Sequence, residues 1–297
     1  ATGEGRALSR AEEFLEKIDR HASHEGWFLE YSGADPGYQS WAMASLAQIN
    51  DEAPELIDQQ LLRSGINFLV PFALRNGSFA NGGGARFTSF LMAVGPELMA
   101  GSSDEAAFLA SFARRNIAQY RFVSRDAVDE PNIAPFFNDL VRAAELFEDN
   151  PAMLSSLEQN MEADFPEAGL HIRHYEDRSV LISAARGGWI CIAERGEVTR
   201  TNPEPVFRDS RGRLFIARSG NVVESGFGFL VVRSQICRFK AHPQTPMKLG
   251  LLRLFMLGLG KWRAPKELAK RFLVHYLLTG QSKSVGMCER IVDTHTG

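Results

Sequence analysis

The sequence predicts an α+β multidomain protein, with a helical part at 1–165 and an antiparallel β part at 166–297. Three observations predict it. Apolar residues recur at helical spacing through most of the first 165 positions. At Phe165-Pro166 the texture changes to short alternating runs. Turn signals then separate those runs: Glu176-Asp177, Arg186-Gly187-Gly188, Arg195-Gly196, Asp209-Ser210-Arg211-Gly212 and Ser219-Gly220-Asn221. Consecutive helices joined by glycine-rich aromatic loops suit an α/α toroid, whole or incomplete, with a plain bundle as the alternative. The alternating runs suit an antiparallel β-sandwich-like domain, or a meander, with a helical insertion near 247–280.

Residues 6–21 place Leu8, Ala11, Phe14, Leu15 and Ile18 on one stripe opposite a charged face. Residues 24–41 follow, HEGWFLEYSGADPGYQSW, too broken by Gly and Pro for a single helix. Asp35-Pro36 reads as an N-cap and first helical position, opening a helix through Trp41, Met43, Leu46 and Ile49. A third helix fits 53–70. The segment 75–90, RNGSFANGGGARFTSF, cannot be regular helix. Helical patterns return around 89–100, 103–121, 133–148 and 151–162. From 170 to 239 the runs HIRHYED, SVLISAA, GWICIAE, PVFRDSR, RLFIARS, NVVES and GFLVVRSQICRF read as strands. The apolar run 247–260 is too short to span a bilayer and carries Arg253 at its middle. A buried helix is its first expectation and an interfacial helix its second, since Lys248, Arg253, Lys261, Trp262 and Arg263 flank or interrupt it. Another helix fits 265–279, and VGMCERIVDT reads as a strand rejoining the β part.

A net charge of −3, with arginines scattered rather than clustered among aromatics, argues against a nucleic-acid partner. Cys191, Cys237 and Cys288 lack ligand spacing and read as buried free thiols. His171 and His174 sit i, i+3 on a predicted strand and face opposite sides, and His21 and His24 read as a solvated helix terminus. Neither pair makes a metal signature. NGGGA at 81–85 lacks the Gly-Lys-Ser/Thr ending of a phosphate loop and the preceding strand of a dinucleotide fingerprint. No cofactor is expected. No signal peptide is visible, and the start at Ala1 reads as part of a longer protein. The compartment, periplasmic or cytoplasmic, stays open.

The chemistry-bearing residues gather in two loops. The first offers Glu25, Trp27, Glu30, Tyr31, Asp35, Tyr38 and Gln39; the second offers Asn76, Asn81 and Arg86 on a glycine-rich backbone. Aromatic faces beside carboxylates are what a sugar cleft needs, and Trp27 and Tyr31 are candidates to stack on sugar rings. Inter-helix loops opening at one end of a helical barrel line one cleft. There Arg86 and the asparagine amides meet a substrate carboxylate. Tyr38, in the first turn of its helix, stands in a positive field that favours its phenolate and lowers its pKa. Such a tyrosine can take a proton from the carbon beside a sugar carboxylate while Asn, Gln or Arg stabilises the developing charge. Buried aromatic loops and a plain glycine-rich connector are the rival expectations.

The order of helices, boundary and a β part opening AGLHIRHYEDRSVLISAARGGW resembles the heparinase II/III-like group of polysaccharide lyases. In that group a toroid segment reads roughly Asp-Gly, an acid, Ser/Pro-rich residues, then Tyr-His at a helix start. EGWFLEYSGADPGYQ is similar, with Glu25-Gly26, Glu30, and Tyr38 followed by Gln39; VFRDSRGRLFIARSGNVVESG is similar in the β part. The resemblance implies an α/α toroid and β-sandwich, an acidic (uronate-containing) glycan as partner, and β-elimination with Tyr38 as base or acid. With that chemistry, the two loops are expected to give carboxylate contacts at Asn81 and Arg86 and substrate contacts at Trp27, Glu30, Tyr31, Gln39 and Asn76. Gln39 stands where the group has histidine. An amide neutralises a carboxylate by hydrogen bonding but exchanges no proton near neutral pH. A catalytically silent glycan-binding or polysaccharide-assembly protein is therefore the alternative.

Overall fold

A computed structural model describes residues 5–31, 33–119, 130–147, 161–196, 199–226, 228–239, 245–258, 262, 264–266, 268–269 and 283–294. It is an α+β structure, with helices mainly in the N-terminal part and two antiparallel sheets in the C-terminal part. The helices are α1 (Gly5–Asp19), α2 (Pro36–Glu52), α3 (Gln59–Leu69), α4 (Val94–Met99), α5 (Asp104–Ala118) and α6 (Glu130–Glu145), with α7 (Pro246–Leu257) between strands. The third helix is shorter than expected, because Pro54–Leu56 forms a separate 3-10 turn and Asp58 caps α3 by accepting from the Gln60 amide. Asp35 caps α2 and Pro36 occupies its first turn, as the sequence predicts. The helical pattern at 151–160 lies outside the described residues.

The first sheet runs β1 (Met161–Phe165), β2 (Leu170–His174), β3 (Arg178–Ser183), β4 (Trp189–Glu194) and β5 (Arg200–Asn202), each beside the next. The second runs β6 (Val206–Arg208), β7 (Leu214–Gly226), β8 (Phe229–Arg238) and β9 (Ser284–Asp293). Met161 therefore opens a strand where the helical pattern was expected to continue to 162, and the sheet begins before residue 165. RLFIARS and NVVES, read as separate strands, are one strand with a register shift between Arg218 and Asn221, where Ser219 takes φ 51°. β5 has no counterpart in the sequence reading.

Strand alternation gives the first sheet two apolar faces. Ile172, Leu181, Trp189, Cys191 and Ala193 join the helices in one core with Met43, Leu62, Ile66, Phe68 and Phe72. Phe165 of β1 lies 4.7 Å from the Phe68 ring and 6.1 Å from the Phe72 ring. Val180, Ile182 and Ile190 point the other way and pack with Leu230, Val232 and Val292 of the second sheet. The first sheet is thus the middle layer, and the main core runs straight across residue 165. Cys191 and Cys237 are buried, whereas Cys288 is only half-buried.

The buried helix expected at 247–260 is not what the structure contains. Met247, Leu254 and Leu257 of α7 are 74%, 68% and 68% exposed. Among the described residues no helix is long and apolar enough to cross a membrane.

Candidate functional site

The loop between α1 and α2 is held by its own polar residues. Glu25 accepts from the Trp27 indole N–H (2.9 Å) and from the backbone amides of Glu167 (2.8 Å) and Ala168 (3.0 Å). It therefore fastens the loop to the β1–β2 turn. Gln39 is buried; its Oε1 accepts from the Phe28 amide (2.8 Å) and its Nε2 donates to the Gly26 carbonyl (2.9 Å). Both ends of that amide are committed to the loop backbone.

Asp35 joins this loop to the glycine-rich one. It is 1% exposed, and its two oxygens face different chains of contacts. Oδ1 accepts from the Tyr38 amide (3.2 Å) and from the Thr88 hydroxyl; Oδ2 accepts from the Arg86 amide (2.7 Å). Thr88 Oγ1 in turn accepts from the Gly37 amide (3.1 Å), and the Ala85 amide donates to the Ala34 carbonyl (2.9 Å). The approach is so close that a Cβ on Gly84 would stand 2.7 Å from Asp35 Oδ2 and 2.8 Å from Asp35 Cα. Glycine at 84 is required by that contact.

This junction delivers Arg86 to the first loop. Its Nη1 donates to Glu30 Oε1 at 2.8 Å, and its Nη2 donates to the Tyr38 hydroxyl at 3.4 Å. The guanidinium carbon lies 4.4 Å from the Tyr31 ring centre and 4.8 Å from that of Tyr38. Burial pulls the Arg86 pKa down, but Tyr38, Glu30 and Tyr31 more than reverse this and leave it above its ordinary value. Arg86, Glu30, Tyr31 and Tyr38 thus converge, half-buried or exposed. A planar cation between two phenol rings, with guanidinium N–H groups beyond those used by Glu30 and Tyr38, is a place for a carboxylate.

The other predicted residues lie elsewhere. Trp27 is buried in the main core, so its ring is not an open stacking face. Asn76 and Asn81 both donate to Thr199 Oγ1, at 2.9 and 2.8 Å, and Asn81 also approaches Cys191 Sγ at 3.8 Å. They tie the glycine-rich loop to the sheet side through Thr199. His174 is buried between Pro71 and Ser179. The Pro71 carbonyl can only accept, so Nε2 carries the proton; Nδ1 accepts from Ser179, whose oxygen accepts from the Arg75 amide. Burial pushes this imidazole down to about 4, with Arg75 adding to the effect and the Pro71 carbonyl opposing it. It is a neutral staple between helices and sheet. His171 lies on the opposite face, 2.7 Å from Asp164 Oδ1.

Three participants were not singled out from the sequence: Thr88, Phe87 and Arg186. Arg186 donates to the Gly82 carbonyl at 2.6 Å and places its guanidinium carbon 3.9 Å from the Phe87 ring centre and 4.8 Å from that of Trp189. It grips the glycine-rich loop from the sheet side. Phe87 is 61% exposed with φ 59°, a conformation costly for a bulky residue. Tyr31, Ala80 and Asn81 are also left-handed (φ 49°, 54° and 43°), so backbone strain concentrates in these two loops. The aromatic composition of 24–41 signals Tyr31, but nothing local signals Arg186.

Beyond Tyr38 the aromatic surface continues to Trp41, whose ring is nearly parallel to it (4°, centres 6.3 Å apart). Trp41, Ser45, Gln48, Asn138, Asp139 and Arg142 line a hollow of about 150 Å³ between α2 and α6. Comparison with known protein families, characterised proteins and solved structures returns no match to this chain.

Proposed function

We propose that this protein acts on an acidic (uronate-containing) glycan as a polysaccharide lyase-like enzyme working by β-elimination. The observation that carries the reading is the convergence of Arg86, Glu30, Tyr31 and Tyr38 from two loops. Arg86 binds and neutralises the sugar carboxylate, which acidifies the adjacent C–H. Tyr38, its hydroxyl at the same guanidinium, removes that proton as phenolate or delivers one to the departing oxygen as phenol. The C–H electron pair becomes a carbon–carbon double bond, the neighbouring C–O bond breaks, and the leaving alkoxide takes up a proton. Tyr31 offers a ring face beside the cation. The helices read as an incomplete α/α toroid, supported by their consecutive packing, and the two sheets as a sandwich, supported by their common apolar cluster.

Incubation with a panel of uronate polysaccharides tests the reading through the ultraviolet absorbance of unsaturated product. Tyr38→Phe is expected to abolish product while leaving glycan affinity within about twofold. Arg86→Ala is expected to weaken binding about 10–100-fold, the scale of one charge-assisted contact. A wild-type protein that binds these glycans and releases no unsaturated product overturns the enzymatic reading.

Two observations favour the silent glycan-binding alternative. Gln39 occupies the position of the expected histidine with its amide turned inward, and His174 is buried against Pro71. That alternative gives glycan affinity without product, and no affinity at all overturns both.

A further inference from the structure

We infer that the α7 segment is a docking surface for an anionic lipid membrane. This rests on α7 and its flank, not on the Arg86 cluster. From Pro246 to Lys266 the chain carries five basic residues (Lys248, Arg253, Lys261, Arg263 and Lys266) and no acidic one, in a protein of net charge −3. The rest of PMKLGLLRLFMLGLG is apolar or glycine. Such a run in a water-soluble core would be covered, yet Met247, Leu254 and Leu257 are exposed, as are Arg253 and Lys266. Trp262, just beyond the helix, is 68% exposed. Apolar side chains, an indole and a one-signed set of cations on one stretch are the chemistry of the lipid interface, where headgroup phosphates meet Lys and Arg and the indole sits at the boundary. A protein partner is less well matched, because its interface core would exclude the charges.

The helix lies on the membrane rather than across it. Twelve residues make about 18 Å of helix, against about 30 Å of hydrocarbon.

The full chain is tested with vesicles of phosphatidylcholine alone and with about 30% phosphatidylglycerol. Co-sedimentation with the anionic vesicles is expected, with Trp262 emission moving to the blue; Trp27 and Trp189 are already buried. Leu254→Glu with Leu257→Glu is expected to reduce vesicle binding at least tenfold with an unchanged melting temperature, because both side chains are exposed. Arg253→Glu is expected to weaken binding to anionic vesicles and to lower its salt dependence. Wild type that stays in the supernatant of both vesicle types overturns the inference. So does double-variant binding equal to wild type. A wild-type oligomer in lipid-free buffer that the double variant dissolves, with no vesicle binding by either, assigns the surface to a second copy of the chain instead.

Discussion

At the scale of single residues, the site depends on buried groups that never reach the surface. Thr88 both donates to Asp35 and accepts from Gly37, so it satisfies two groups with no access to water. Thr88→Val keeps the shape and removes both bonds, leaving the Gly37 amide without its acceptor and Asp35 Oδ1 with the Tyr38 amide as its remaining donor. It is expected to cost about 1–3 kcal/mol in urea unfolding, whereas Thr88→Ser recovers most of that loss. Equal stability of the Val variant and wild type would show that the junction is not held by this hydroxyl. Arg86 is delivered by its backbone amide on Asp35, so the Val substitution is also expected to weaken the Arg86–Tyr38 pairing.

At the scale of elements, α6 caps α4. Asp139 accepts from the amides of Ala93 (2.6 Å) and Val94 (3.3 Å), supplying the start of α4 with a side chain from a different helix. Burial pushes the Asp139 carboxyl from 3.8 up to about 6, against the lowering effect of those two hydrogen bonds and of Arg142. A carboxyl raised in the folded state binds its proton more tightly there than in the unfolded chain. Stability from this group is therefore complete below about pH 4 and lost as pH rises to 6. Asp139→Asn does not titrate, so its melting temperature is expected to gain on wild type between pH 4 and pH 7. A difference that stays constant across that range would contradict the raised pKa. His174 works with the opposite sign. Its depressed pKa, about 4, contributes stability above the ordinary 6.5 that is lost as pH falls towards 4.

At the scale of the whole molecule, the central strands β2, β3 and β4 of the first sheet are buried on both faces and serve two apolar clusters. Leu181 lies in the core shared with the helices, and its strand neighbours Val180 and Ile182 in the one shared with the second sheet. Leu181→Ala is expected to cost about 2–5 kcal/mol and to lower the stability of helices and sheets together. Helical circular dichroism and tryptophan emission are expected to follow one coincident unfolding transition in wild type and variant. Separated transitions would show that the helical part folds apart from the sheet.

Local chemistry was enough to write much of this protein from its sequence. Asp35-Pro36 determines where α2 begins because a side-chain acceptor and a fixed φ act within one turn. SVLISAA and GWICIAE determine β3 and β4 as short apolar runs bounded by turn signals, the pattern of strands that are buried almost throughout. The two loops and their candidate residues were legible as composition. What the sequence could not determine was which of those residues meet. Glu30 and Arg86 are 56 positions apart, and Arg186 reaches Gly82 across 104. Such pairs follow from the packing of helices on the sheet, which no local rule carries. The same limit separates Tyr38, which reaches Arg86, from Trp27, Asn76 and Asn81, which turn to the core or to Thr199. It also explains α7. An apolar run reads alike whether buried or exposed, and only the tertiary structure leaves Met247, Leu254 and Leu257 uncovered.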